Sequence, residues 1–123
     1  MRIGYHDKNM SSALAPFIME AKERHIEMQH YELMPTEQVQ LPDLFIINPI
    51  LPIDGKEYYE KIRQTVSQHQ NTRFLLLMPT LNIGEVIEAK KIIGEFPNLE
   101  YLSRKDGNGD DMLKKLIEVL DSV

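Results

Sequence analysis

The sequence predicts an α/β protein: a doubly wound, five-stranded parallel sheet in the order 2-1-3-4-5, with helices on both faces. Three observations carry that prediction. Short apolar runs alternate along the chain with longer segments of helical period. Two of the runs, Leu44-Phe45-Ile46-Ile47 and Phe74-Leu75-Leu76-Leu77, are continuously apolar, as strands buried on both faces are. The chain has 123 residues and 42% hydrophobic content, which suits one domain around one core.

The elements follow in order. Residues 2–6 read as a short first strand. Residues 12–24 read as a helix with Leu14, Phe17, Ile18 and Ala21 on one face. Pro16 belongs in its first turn, because deeper in a helix proline removes a backbone hydrogen bond. Residues 26–31 alternate apolar and polar, as a half-exposed edge strand does. Residues 34–40 hold at most one or two helical turns. Residues 43–48 form the third strand, and 56–70 a helix with Tyr59, Ile62 and Val66 facing inward. Residues 74–78 repeat the buried-strand signature. Asn82 followed by Glu85 resembles a capping box opening a helix that runs to Phe96, where Pro97 stops it. Its apolar positions Ile83, Val86, Ile87 and Ile93 sit at helical spacing. Residues 100–103 form the last strand. Asp110 can cap a final helix whose buried stripe is Met112, Leu113, Leu116, Ile117 and Leu120. Five strands thus alternate with five helical segments. Right-handed crossovers reduce the topologies to the flavodoxin-like order. The first and third strands are then neighbours, and the crevice beyond their C-terminal ends is where ligands gather in open α/β sheets. That crevice receives His6-Asp7-Lys8 from the first strand and Asn48-Pro49 from the third.

Composition excludes several functions. The formal net charge of -5 argues against sequence-independent nucleic-acid binding, which needs Lys and Arg to displace counterions. Lys90-Lys91, Lys114-Lys115 and the Lys61-Ile62-Arg63 cluster read as solvated helix faces. The absence of Cys rules out disulfides, thiolate catalysis and zinc–cysteine sites, and fits a cytoplasmic setting. The N-terminus turns polar too soon for a signal peptide, and the apolar runs are too short for a membrane span. His6, His25, His30 and His69 share no metal-ligand spacing, so no metal is expected. No Gly-rich phosphate loop follows the first strand and no GxSxG elbow is present. No cofactor and no catalytic residue is therefore expected.

The stretch DLFIINPILPIDGKEYYEKIR resembles the third strand, loop, Asp-Gly turn and following helix of response-regulator receiver domains. EYLSRKD is similar to that family's last strand, and MRIGYHDKN to a first strand ending in an acidic pair. The resemblance covers the whole chain. It implies a phosphoryl-accepting Asp after the third strand, two acids holding Mg2+, a Ser or Thr after the fourth strand and a Lys after the fifth. A carboxylate attacks phosphorus only where a metal ion and a cation offset the charge on the oxygens.

Here those parts are changed. Asn48, a neutral amide, stands at the acceptor position, and Pro49 removes a backbone N–H from the loop. Asp7 remains of the acidic pair, but Lys8 takes the second place and repels a cation. The Ser/Thr position falls on Met78 or, with a shifted gap, on Thr80. Arg104 replaces the Lys, and Lys105 the proline after it. The resemblance therefore implies a degenerate pseudo-receiver with a dismantled phosphotransfer site. It also places Tyr101 on a surface formed by the last strand and its flanking helices, residues 83–96, 100–103 and 110–121, where receivers dock a protein partner or a second copy. Two rival readings stay open. One is a conventional receiver phosphorylated on Asp54, and the other a small-ligand sensor using Lys8, Asn48 and Arg104.

Overall fold

Burial of the central strand on both faces sets the layout. β3, Leu44–Asn48, is buried at all five positions. The computed structural model describes residues 2–7, 15–48, 57–78, 83–103 and 109–121. The other strands are β1 (Arg2–Asp7), β2 (Glu27–His30), β4 (Arg73–Met78) and β5 (Leu99–Ser103). They pair in parallel in the order β2-β1-β3-β4-β5, as the alternation of elements predicts. The helices are α1 (Ala15–Glu23), α2 (Glu57–Gln68), α3 (Ile83–Glu95) and α4 (Gly109–Asp121). None of the described helices is long and apolar enough to cross a membrane.

Two cores lie on the two faces of the sheet. Ile3, Leu44, Ile46, Leu75 and Leu77 meet Phe17 and Ala21 of α1 and Leu116, Val119 and Leu120 of α4. On the other face Phe45, Ile47, Phe74, Leu76 and Leu99 meet Tyr59, Ile62 and Val66 of α2 and Ile92 of α3. Alternation along each strand divides its side chains between these cores. Pro16 stands in the first turn of α1, the one place where its missing N–H costs nothing. Beyond the end of α1 at Glu23, His25 takes the left-handed conformation at φ 60 while Ile26 N–H donates to Ala21 O at 2.8 Å. Arg24 beside it bonds Asp121 and Glu20, joining α1 to α4; the bonds to Asp121 and then to Glu20 raise its pKa further.

Four details depart from the sequence prediction. Residues 34–40 hold no helix, so four helices rather than five are present among the described residues. Pro35 lies inside that segment and Pro42 just beyond it, and tertiary contacts engage the backbone here. His69 Nε2 accepts from Val39 N–H at 3.2 Å, and Thr72 Oγ1 donates to Pro42 O at 3.2 Å. Met34 is buried in the α2-side core, where an inward helical residue would sit. In α3, Ile87 is 48% exposed while Ile92, which the prediction passed over, is fully buried. Five residues apart on a helix are about 140° apart, so the two cannot share one face. α4 begins at Gly109, which puts Asp110 inside its first turn, and Val119 joins Leu116 and Leu120 in the core. Leu14, Asn82 and their contacts lie outside the described residues.

Gly4 sits where β1 passes under two aromatic rings. A Cβ there would lie 2.7 Å from Cδ2 of the fully buried Phe45 and 3.1 Å from Cε1 of Tyr31. Phe45 has little room to retreat, since it also packs on Phe74 with ring centroids 5.6 Å apart. Gly4→Ala is expected to destabilise the fold by about 1–3 kcal/mol through overpacking, measured by urea denaturation. An unchanged midpoint would show that the ring pair yields.

Candidate functional site

The C-terminal ends of β1, β3, β4 and β5 are Asp7, Asn48, Met78 and Ser103. Register sets them side by side in pairs: Asp7 is the partner of Asn48, and Met78 that of Ser103. The parallel strands therefore bring the positions expected from the first and third strands to one edge, at the switch point of the sheet. Lys8, Thr80 and Arg104 lie outside the described residues, as do Pro49 and Asp54. The choice between Met78 and Thr80 thus stands on the sequence alone.

Asn48 is the best-defined member. It extends the buried run of β3 by one polar residue and is 2% exposed. A neutral carboxamide suits that position, because an ionised group buried there without a counter-charge costs far more. As an amide it offers one carbonyl acceptor and two N–H donors, but no anionic oxygen for phosphorus or Mg2+.

His6, one residue before the strand end, is also buried. Its Nδ1 lies 2.8 Å from Tyr31 O, and because a carbonyl only accepts, Nδ1 carries the proton and donates. The ring stacks on Tyr58 of α2, with centroids 6.5 Å apart and planes at 26°. His6 therefore pins three elements together beneath the crevice: β1, the chain leaving β2, and the start of α2. Among the described residues no group of three His, Cys, Asp or Glu side chains is placed to hold a metal ion.

Tyr101 is half-buried on β5 and packs against the α2/α3-side core. β5 ends the sheet, with α3 on one face and α4 on the other, so the expected surface is assembled from contiguous elements. Ile87 adds an exposed apolar side chain on α3.

Two residues escaped the sequence reading. His69 continues the inward stripe Tyr59, Ile62, Val66 by three positions, and that spacing was the signal available. Asn98 follows Pro97 in an ordinary-looking turn, yet its Nδ2 lies within 3.1 Å of the carbonyls of both His69 and Thr72. Nothing in the sequence distinguishes it from a solvent-facing turn residue.

No protein-family model matches the chain, and no curated protein matches it by sequence. Solved structures do. A response regulator from Colwellia psychrerythraea matches with a TM-score of 0.62 at 12% identity, covering 99% of this chain and 98% of its own. A beryllofluoride-activated receiver domain, DrrB, matches with a TM-score of 0.58 at 14% identity over 98% and 97% of the two chains. The Clostridium botulinum CMP N-glycosidase BcmB matches with a TM-score of 0.59 at 17% identity over 95% and 99%. At these identities the likeness establishes the receiver-type fold, which regulators and enzymes share.

The burial of Asn48 generates a test. Asn48→Asp is isosteric but places a carboxylate at a 2% exposed position. Burial raises the folded-state pKa of that carboxyl above its unfolded value, so the loss of stability is absent at low pH and grows as pH rises through the carboxylate range. We expect a loss of roughly 2–4 kcal/mol at pH 7, unrelieved by millimolar Mg2+, in urea denaturation. A variant as stable as the parent, or one that Mg2+ rescues, would mean the position is built to hold a cation-bound carboxylate.

Proposed function

We propose that the chain is a receiver-like regulatory domain that works without phosphorylation and acts through protein–protein contact. The observation that carries this reading is Asn48: a buried, neutral side chain at the end of the central strand, in register with Asp7. In the receivers that the sequence resembles, that place belongs to the carboxylate that takes the phosphoryl group. Asp7 alone is a poor Mg2+ site, because the ion needs near-octahedral oxygen ligation and a phosphoryl acceptor to bridge. Lys8 beside it adds a repelling charge. The match to a response regulator and to a receiver domain, over nearly the whole of each solved chain, supports the regulatory class.

A domain without a chemical input still has surfaces to read. On the elements of the α3–β5–α4 surface, Ile87 and Lys90 of α3 are exposed and Tyr101 of β5 is half-buried, while Glu100, pointing to the other face of the sheet from Tyr101, pairs with Arg73 of β4 at 3.0 Å. Exposed apolar and aromatic side chains on such a surface are the kind that protein interfaces use. We assign self-association or partner docking to this face, with no direct contact to nucleic acid or membrane.

Two measurements test the reading together. Incubation with acetyl phosphate and Mg2+ is expected to leave the intact mass unchanged. Sedimentation velocity and partner capture are expected to show association that Ile87→Asp with Tyr101→Ala weakens about tenfold or more, with little change in thermal midpoint. A phosphoryl group found on Asp54, or a chain that stays monomeric and captures nothing, would sink it.

A further inference from the structure

The opposite end of the sheet carries a second concavity. Between the connection from β2 to β3 and the turn from α2 to β4 runs a groove of about 580 Å3, within the range of small-molecule sites. Among the described residues its lining contains no Lys, Arg, Asp or Glu, in a chain that is 27% charged. Gln38 and Gln40 stand on one wall, and Gln68, Gln70 and Asn71 on the other. Each carboxamide offers a carbonyl acceptor and two N–H donors. Val39 and Leu41 add apolar surface between them, Val39 being 48% exposed.

The two walls are held at a fixed separation. His69 bridges them: its Nδ1–H donates to Thr65 O at 2.7 Å, and its Nε2 accepts from Val39 N–H at 3.2 Å. Those two contacts assign the neutral imidazole with the proton on Nδ1, so the groove floor adds no charge. Arg73 N–H donates to Asp43 O at 2.8 Å, closing the same two segments at the sheet edge. Asn98 then ties the α2–β4 turn to itself through the carbonyls of His69 and Thr72. The groove is therefore built before any ligand arrives, which lowers the ordering cost of binding.

We propose that this groove binds a neutral, polyhydroxylated ligand with the chemistry of a mono- or disaccharide. A hydroxyl donates and accepts at once, as the lining carboxamides do, and needs no counter-charge. A phosphate or carboxylate ligand would find no cation in the lining to compensate it. A hydrocarbon would strip water from five carboxamides and return no hydrogen bonds. An extended peptide recognised by strand addition would need an exposed strand edge, and residues 38–41 form no strand. Val39 and Leu41 suit the C–H face of a pyranose ring. The ligand is either a free sugar or the end of a glycan.

Amide NMR of the whole chain, titrated with maltose, cellobiose and N,N′-diacetylchitobiose, tests the proposal. At least one sugar is expected to give saturable shifts confined to residues 38–41 and 67–72, with millimolar or tighter affinity. The double variant Gln40→Ala with Asn71→Ala, both exposed in the fold, is expected to weaken binding about tenfold or more while leaving the remaining amide spectrum in place. Glucose 6-phosphate is expected to bind no tighter than glucose. A methyl glycoside binding as well as the free disaccharide assigns the glycan source, and loss of binding on methylation assigns the free sugar. No saturable shift with any of the three disaccharides at tens of millimolar, shifts that the double variant leaves unchanged, or tighter binding of the phosphorylated sugar would each overturn the proposal.

Discussion

Burial of the central strand on both faces is the constraint from which the rest of this structure follows. Leu44 and Ile46 face one core, Phe45 and Ile47 the other, and all four are at most 2% exposed. Each such side chain contributes on the order of 1.5–3 kcal/mol on leaving water, so a slip of one residue in register would exchange the two sets at large cost. That holds β1 and β4 in place on either side. It also determines which residue emerges at the strand end. Asn48 inherits the burial of the run that it terminates, and its neutral side chain is compatible with that burial where a lone carboxylate would not be.

The parts of the fold that were legible in the sequence are those that burial dictates. The four-residue apolar runs of β3 and β4 have no alternative on a parallel sheet, and the stripe Tyr59, Ile62, Val66 faces inward as its spacing requires. The edge strand β2 was readable because one exposed face leaves alternation in the residues, and it does lie at the end of the sheet. What misled was apolar content without a unique face. α3 carries isoleucines around more than one side, so spacing alone did not choose Ile92 over Ile87. The connection 34–40 misled for a different reason. Its Val39 N–H is bonded by His69 from beyond the end of α2, a long-range contact that no local pattern announces.

The candidate site was legible only in part. Strand pairing brings Asp7 and Asn48 together, as the expected order requires. The structural work of His6, donating to Tyr31 O and stacking on Tyr58, depends on where the chain returns after β2 and had no signature in the residues. The two ends of the sheet also differ in character. One ends in a buried amide in register with Asp7, and the other in a groove lined by neutral carboxamides. Among the described residues no His, Cys, Asp or Glu group of three is placed to hold a metal ion.

The central claim is that the strand-end crevice no longer switches in response to a cation and a phosphoryl group. An amide NMR titration with Mg2+, followed by beryllofluoride as a phosphoryl mimic, addresses it most directly. The account predicts that the resonances of Asp7, Asn48 and Tyr101 stay in place through millimolar additions of both. Shifts that begin at Asp7 and Asn48 and spread to Tyr101 on β5 would contradict it, because they would show a working switch around a neutral Asn48.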